Sequence, residues 1–306
     1  MIDGTSSINR VATVVLLFGI VFILGPVAVA IVTATQSFEQ FIANGGISIT
    51  IGGSFINNLG HIVTETRLPQ QLLNSVVVAI LVAGVKCSFA FTATFALVFF
   101  ESRWNKVIFA LTVATVMLPL ELIVITTYQI VSNIAMPLNW ILDLTGLGWV
   151  AERMTGTRPY IEWNLLGSYV GIAAPIATAS TSVFVYRQFF LSLPKDLSRA
   201  AAMDGAGPIR FMIDILLPLS RTPLVATFLF WFIGAWTSYL WPLVAATTPD
   251  AQTAIVGLAK LSTYEPDRTP DVPVLMAGAL FVSFLPVVLI AALQGLIVRG
   301  MNLSEK

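Results

Sequence analysis

Charge, cysteine and histidine are the scarce components of this 306-residue chain. It has 16 Lys and Arg and 16 Asp and Glu, together 10% of the sequence, where a soluble domain carries about 25%. So few charges cannot cover a water-facing surface, which excludes a soluble enzyme. A disordered chain is excluded by the 57% of hydrophobic residues, because disorder needs low hydrophobicity. The signs cancel to a formal net charge of +0, leaving no field to draw in a polyanion and excluding a nucleic-acid binder. One cysteine, Cys87, permits no internal disulfide and no cysteine-rich metal site. The single histidine, His61, permits no histidine cluster.

What is abundant is continuous apolar sequence. A helix needs about 20 apolar residues to cross the hydrocarbon core. Six segments qualify, at about 11–35, 72–100, 107–128, 165–186, 223–246 and 273–298. Membrane-spanning barrels show alternating ten-residue segments instead. The expectation is an all-α integral membrane protein with six transmembrane helices in a single domain over 1–306. The first span resembles a signal peptide in its Arg10, apolar run and Ala28-Val29-Ala30. Its charge-free stretch is about twice a normal h-region, which favours an uncleaved anchor.

Basic residues set the orientation. Ten lie on the side of both termini: Arg10, Arg103, Lys106, Arg187, Lys195, Arg199, Arg210, Arg221, Arg299 and Lys306. Five lie on the other side: Arg67, Arg153, Arg158, Lys260 and Arg268. Both termini and the 187–221 loop are therefore expected in the cytoplasm, with a more acidic outer face. Outside, Ile47-Ser48-Ile49-Thr50-Ile51 alternates as a short strand does. The 137–164 stretch reads as a longer periplasmic elaboration with a short helix.

The 187–221 loop carries the strongest local signal. Asp196 is suited to start a short helix over about 197–203. Asp204-Gly205 ends it, and Pro208 opens a second helix. Phe211, Ile215 and Leu219 then share one face. Ala200, Ala201 and Ala202 form a smooth ridge. A bilayer crossing needs no such device, which leaves two readings: an interfacial helix seating the bundle on headgroups, or a docking element for a cytoplasmic partner.

Ala200-Ala201-x-x-Asp204-Gly205-Ala206, eight residues, then Ile215-x-Leu217-Pro218, resembles the signature loop of permeases of binding-protein-dependent ABC importers of the maltose type. Leu73-Asn74-Ser75, Met117-Leu118-Pro119-Leu120-Glu121, Arg187-Gln188-Phe189-Phe190, Tyr239-Leu240-Trp241-Pro242-Leu243 and Arg299-Gly300-Met301 extend the likeness along the chain. These are similar to the second-permease branch that serves sn-glycerol-3-phosphate import.

The resemblance implies an inner-membrane transport subunit that is not an enzyme, coupled to the ATPase through Asp196, Arg199, Ala200, Ala201, Asp204, Gly205 and Ala206. Its implied partners are a second, different permease, two ATPase subunits, a periplasmic binding protein and membrane lipid. The chain holds no cofactor of its own; ATP and Mg belong to the ATPase. In agreement, no Gly-x-x-x-x-Gly-Lys-Ser/Thr phosphate loop occurs. Three departures stand out. Arg199 replaces the family's usual Glu, Thr237-Ser238 replace polar amides, and the 137–164 elaboration is mostly absent from relatives. Neutral oligosaccharides are the alternative substrate class, and an ATPase-independent secondary transporter the alternative mechanism.

Two charges fall well inside spans, Lys86 and Glu121. Each lies 14 residues from the cytoplasmic end of its span, about 21 Å at helical rise. A Lys86–Glu121 pair holding helices in register is one reading, and Lys86 lining the substrate path is the other. Trp236 and Tyr239, three apart, are path candidates because polyols and sugars pack on rings. Trp241 is suited to interfacial anchoring. His61 and Cys87 read as an outer-loop histidine and an apolar filler.

Overall fold

A computed structural model describes residues 5–115, 120–177, 180–194, 196–262 and 269–302, and within these the side chains of 5–10, 120, 121, 180 and 296–302 are left out. Pro119, Lys195, Arg268 and Lys306 therefore lie outside the described residues, and Arg10, Glu121 and Arg299 outside the described side chains. Every regular element among the described residues is helical. Three helices are long and apolar enough to span a bilayer: Val11–Ala34, Leu68–Phe99 and Val272–Gly295. Two bent pairs pass the same test jointly, Tyr169–Ile176 with Thr181–Ser192 and Pro208–Leu219 with Arg221–Trp236.

The chain divides into two compact units. The first comprises 1–70 and 257–285. It contains α1 (Thr5–Ala34), α2 (Phe38–Ala43), α3 (Phe55–Glu65) and the first residues of α4 (Leu68–Phe99). No residue from Val11 to Val32 is buried, so α1 presents apolar side chains all round, which only a nonpolar surrounding tolerates. Buried Asn58 ties the end of α1 to α3, with Nδ2 donating to the carbonyls of Ala34 (2.9 Å) and Gln36 (2.8 Å). The expected strand over 47–51 does not form. Ile47, Ile49 and Ile51 all point outward. The backbone is held instead by the Gln36 side chain, which donates to the Thr50 carbonyl at 2.6 Å. With no neighbouring edge to pair with, a period of two is not enough to make a strand.

The second unit comprises 71–256 and 286–306. After α4 come α5 (Asn105–Ala114), a 3₁₀ turn (Leu120–Ile123) and α6 (Val124–Ser132). Next are α7 (Met136–Leu144), α8 (Leu147–Thr155), α9 (Tyr169–Ile176), α10 (Ser180–Ser192) and α11 (Asp196–Met203). They are followed by α12 (Pro208–Leu219) and α13 (Arg221–Trp236), which meet at 76°. α14 (Leu240–Ala245) and α15 (Ala254–Leu261) precede α16 (Val272–Asn302), and α15 and α16 each run across a unit boundary.

The expected span over 223–246 is not one helix. α13 stops at Trp236 and α14 restarts at Leu240. Pro242 is the cause: it lacks an N–H and would clash with the carbonyl four residues back. A break just upstream puts Pro242 in the first turn of a new helix, where N–H groups have no intrahelical partner anyway. Thr237 closes the first piece, its Oγ1 donating to the Ile233 carbonyl at 2.9 Å.

Candidate functional site

The loop between α10 and α13 folds as a helix, a tight turn and a second helix. Gly205 has φ +77°, a conformation that costs a residue with a Cβ about 1–2 kcal/mol. It allows the Gly205 N–H to reach the Ala202 carbonyl (3.1 Å) and the Ala206 N–H the Ala201 carbonyl (2.9 Å). This pair of bonds satisfies the last carbonyls of α11 and reverses the chain. Pro208 then stands in the first turn of α12.

The periodicity of α12 differs from expectation. Phe211–Leu216 is a π-helical turn, so Phe211, Leu216 and Ser220 are buried while Leu219 is exposed. The expected face of Phe211, Ile215 and Leu219 thus holds for Phe211 and half-buried Ile215, which pack in one cluster, and is lost at Leu219. Pro218 explains the change, because its missing donor and its ring cannot be accommodated in a regular i to i−4 ladder over this turn.

Burial splits the alanine ridge. Ala201 is inserted in a cluster with Phe91, Phe95, Tyr186, Phe190 and Phe211, and Leu197 and Ala206 pack against it. Phe95 and Phe99 belong to α4, Phe190 to α10 and Phe211 to α12, with ring centroids 5.2 Å apart for Phe99–Phe211 and 5.9 Å for Phe99–Phe190. Asp196, Arg199 and Ala200 remain exposed on α11, as does Asp204 just beyond its end. Arg199 Nη1 lies 3.5 Å from Asp196 Oδ1, one turn away on the same helix. A close-packed aromatic cluster transmits displacement because cores deform little. A load applied to the exposed face of α11 therefore reaches α4, α10 and α12 together.

Lys86 is 4% exposed. Its ammonium lies 3.3 Å from the centroid of the Trp231 ring on α13, and the Trp231 indole N–H donates to Ser182 Oγ on α10. Beside it, Cys87 Sγ is 3.6 Å from Thr227 Oγ1, which also bonds the Tyr186 hydroxyl. Lys86 thus joins three helices through a ring. Nothing in the sequence pointed to Trp231 and Ser182 as its neighbours, because a contact between distant helices leaves no trace in periodicity. Glu121, the expected partner, lies outside the described side chains.

Tyr239 lines a cleft of about 370 Å³ at the break between α13 and α14, together with Thr237, Ser238, Gly234, Val124 and Trp241. Small-molecule sites typically measure about 300–1,000 Å³. Trp236 does not join it; it is buried and stacked on Phe232 at 5.8 Å. Trp241 is not at a free interface: it is 2% exposed, with its indole N–H donating to the Ile172 carbonyl at 3.0 Å. The short α14 turns its ring back onto α9. His61 sits 3.2 Å from Glu65 on the same helix.

Residues 75–303 match the family described as the binding-protein-dependent transport system inner membrane component. The chain belongs to that family. It is therefore an integral membrane protein and a transport component rather than an enzyme. This family member is 30% identical over 313 residues to the sn-glycerol-3-phosphate transport system permease protein UgpE of Brucella melitensis biotype 1, with all of both chains covered. Its identity to the UgpE of Brucella abortus strain 2308 is 31% over 314 residues, and to that of Yersinia pestis bv. Antiqua 30% over 312, again with full coverage. In fold it resembles a bacterial ABC transporter involved in import of the acidic polysaccharide alginate, with a TM-score of 0.72, 16% identity, and 96% of this chain and 98% of that one covered.

Proposed function

We propose that this family member is one of two different permease subunits of an ATP-driven importer in the bacterial inner membrane, and that the complex carries sn-glycerol-3-phosphate or a related glycerophosphodiester. The observation that carries the reading is full-length identity near 30% to several sn-glycerol-3-phosphate permeases. A periplasmic binding protein delivers the ligand, and two ATPase subunits, which bind ATP and Mg, drive the change between outward- and inward-facing states. Six spans with both termini in the cytoplasm agree with the ten-to-five distribution of basic residues.

The 187–221 loop meets the ATPase in this reading. Asp196, Arg199, Ala200 and Asp204 form the docking face, Gly205 and Ala206 fix the turn, and Ala201 passes the displacement to the phenylalanine cluster. The exposure of the outer face of α11 and the burial of Ala201 support this division of roles. Lys86, Glu121 and Tyr239 remain the path candidates. The cleft at Thr237, Ser238 and Tyr239 offers hydroxyl groups and a ring edge to a polyol. Trp236, buried against Phe232, is not proposed as a ligand contact.

The test is ATP-dependent uptake by proteoliposomes holding both permeases, the ATPase and the binding protein. Radiolabelled sn-glycerol-3-phosphate and glycerophosphocholine are expected to accumulate, and a maltodextrin is not. Uptake of the maltodextrin alone would move the assignment to the oligosaccharide class. Substrate movement by the chain without an ATPase would overturn the importer reading.

A further inference from the structure

The segment between α6 and α9 carries a largely apolar exposed face. On α7 the polar residue Asn139 faces the rest of the unit, while Asp143 pairs with Arg158 at the surface. Asn139 is buried and exchanges bonds with Ile161, its Nδ2 donating to that carbonyl (2.8 Å) and its Oδ1 accepting from that N–H (2.9 Å). Asp143 accepts from Arg158 at 2.9 Å. The opposite side of α7 presents Trp140, 65% exposed, with Ile141 and Leu144, 71% exposed. α8 packs on α7 through buried Gly148, where a Cβ would come within 3.3 Å of Asp143 Oδ1. It turns Val150 and Met154, 82% exposed, outward. A hairpin that exposes this many large apolar side chains is not built to face water alone.

Its base is tied down. The Leu165 N–H bonds the Val131 carbonyl and the Ile134 N–H bonds the Trp163 carbonyl, both at 3.0 Å. The excursion thus leaves and returns at one level, where α6 ends and α9 begins. Ile125 and Ile130 on α6 and Val170 on α9 are exposed as well. Trp149 carries the Arg153 guanidinium 3.9 Å from its ring centroid. Tryptophan with a basic head beside it suits the headgroup layer.

We propose that the α7–α8 hairpin lies on the membrane surface as a foot, with Trp140, Ile141, Leu144, Val150 and Met154 set into the lipid boundary and Arg153 at the phosphate level. A lipid surface is preferred to a docked protein because the exposed face is aliphatic and aromatic, and the one basic residue of α8, Arg153, is held over the Trp149 ring.

The experiment places a thiol-reactive fluorophore at a single cysteine, introduced at Leu144, Met154 or Thr157 in a Cys87→Ser background. The complete transporter, its other subunits free of reactive cysteine, is reconstituted in phosphatidylethanolamine–phosphatidylglycerol vesicles with or without brominated phosphatidylcholine. Labels at 144 and 154 should be quenched by brominated lipid at least twofold more than at 157, and shielded from iodide. Equal iodide quenching at all three positions overturns the proposal. So does shielding that appears only when the binding protein is added, or shielding from both quenchers under a partner subunit. A second variant, Trp140→Glu with Leu144→Glu, leaves the base ties intact and should raise iodide quenching at 154. Unchanged quenching there overturns it too.

Discussion

Lys86 gains its stability from a ring rather than a carboxylate among the described side chains, and this can be measured. A desolvated cation–π contact contributes about 2 kcal/mol, and the Trp231–Ser182 hydrogen bond about 1 kcal/mol. Trp231→Leu removes both and should cost about 3 kcal/mol. Trp231→Phe keeps a ring over Lys86 and should cost about 1–2 kcal/mol. Lys86→Met removes the buried charge itself, after which Trp231→Leu should cost only the hydrogen bond and packing. The double-mutant cycle should therefore return a coupling of about 2 kcal/mol. The assay is reversible unfolding of the purified complex by sodium dodecyl sulfate in mixed micelles, monitored by circular dichroism. Additivity within about 0.5 kcal/mol would refute the reasoning. A Lys86→Met and Glu121→Gln cycle run in parallel tests the other partner. Strong coupling there, with none to Trp231, would favour the ion pair read from the sequence.

The cytoplasmic loop can be tested in the same preparation. Gly205→Ala forces a side chain into φ +77° and should lower stability by about 1–2 kcal/mol while weakening binding-protein-stimulated ATP hydrolysis. Ala201→Leu overpacks the phenylalanine cluster and should cost about 1–3 kcal/mol in the same unfolding assay. Ala200→Leu, on the exposed side, should leave stability unchanged and reduce ATPase co-purification. Arg199→Glu disrupts only an exposed contact with Asp196, worth at most about 1 kcal/mol, so any change in transport reports docking. Transport equal to the parent's would show that Arg199 plays no part in it.

Local chemistry and the scarcity of charge were enough to make much of this protein legible in its sequence. Membrane residence, the helical class, the turn at Gly205, the start at Pro208 and the family loop could all be read there, because each depends on composition or on residues close together in the chain. Which helix faces are used was settled by tertiary packing. Ala201 points into the cluster while Ala200 points out, and a π turn before Pro218 buries Leu216 and Ser220 and leaves Leu219 exposed. Trp241, suited by composition to an interface, is buried against Ile172, because Pro242 breaks the span and rotates the short helix beyond the break. Lys86 meets the ring of Trp231, a residue far from it in sequence. In a chain this apolar nearly every helix face is hydrophobic, so periodicity cannot tell lipid from protein. That choice belongs to packing between helices distant in sequence.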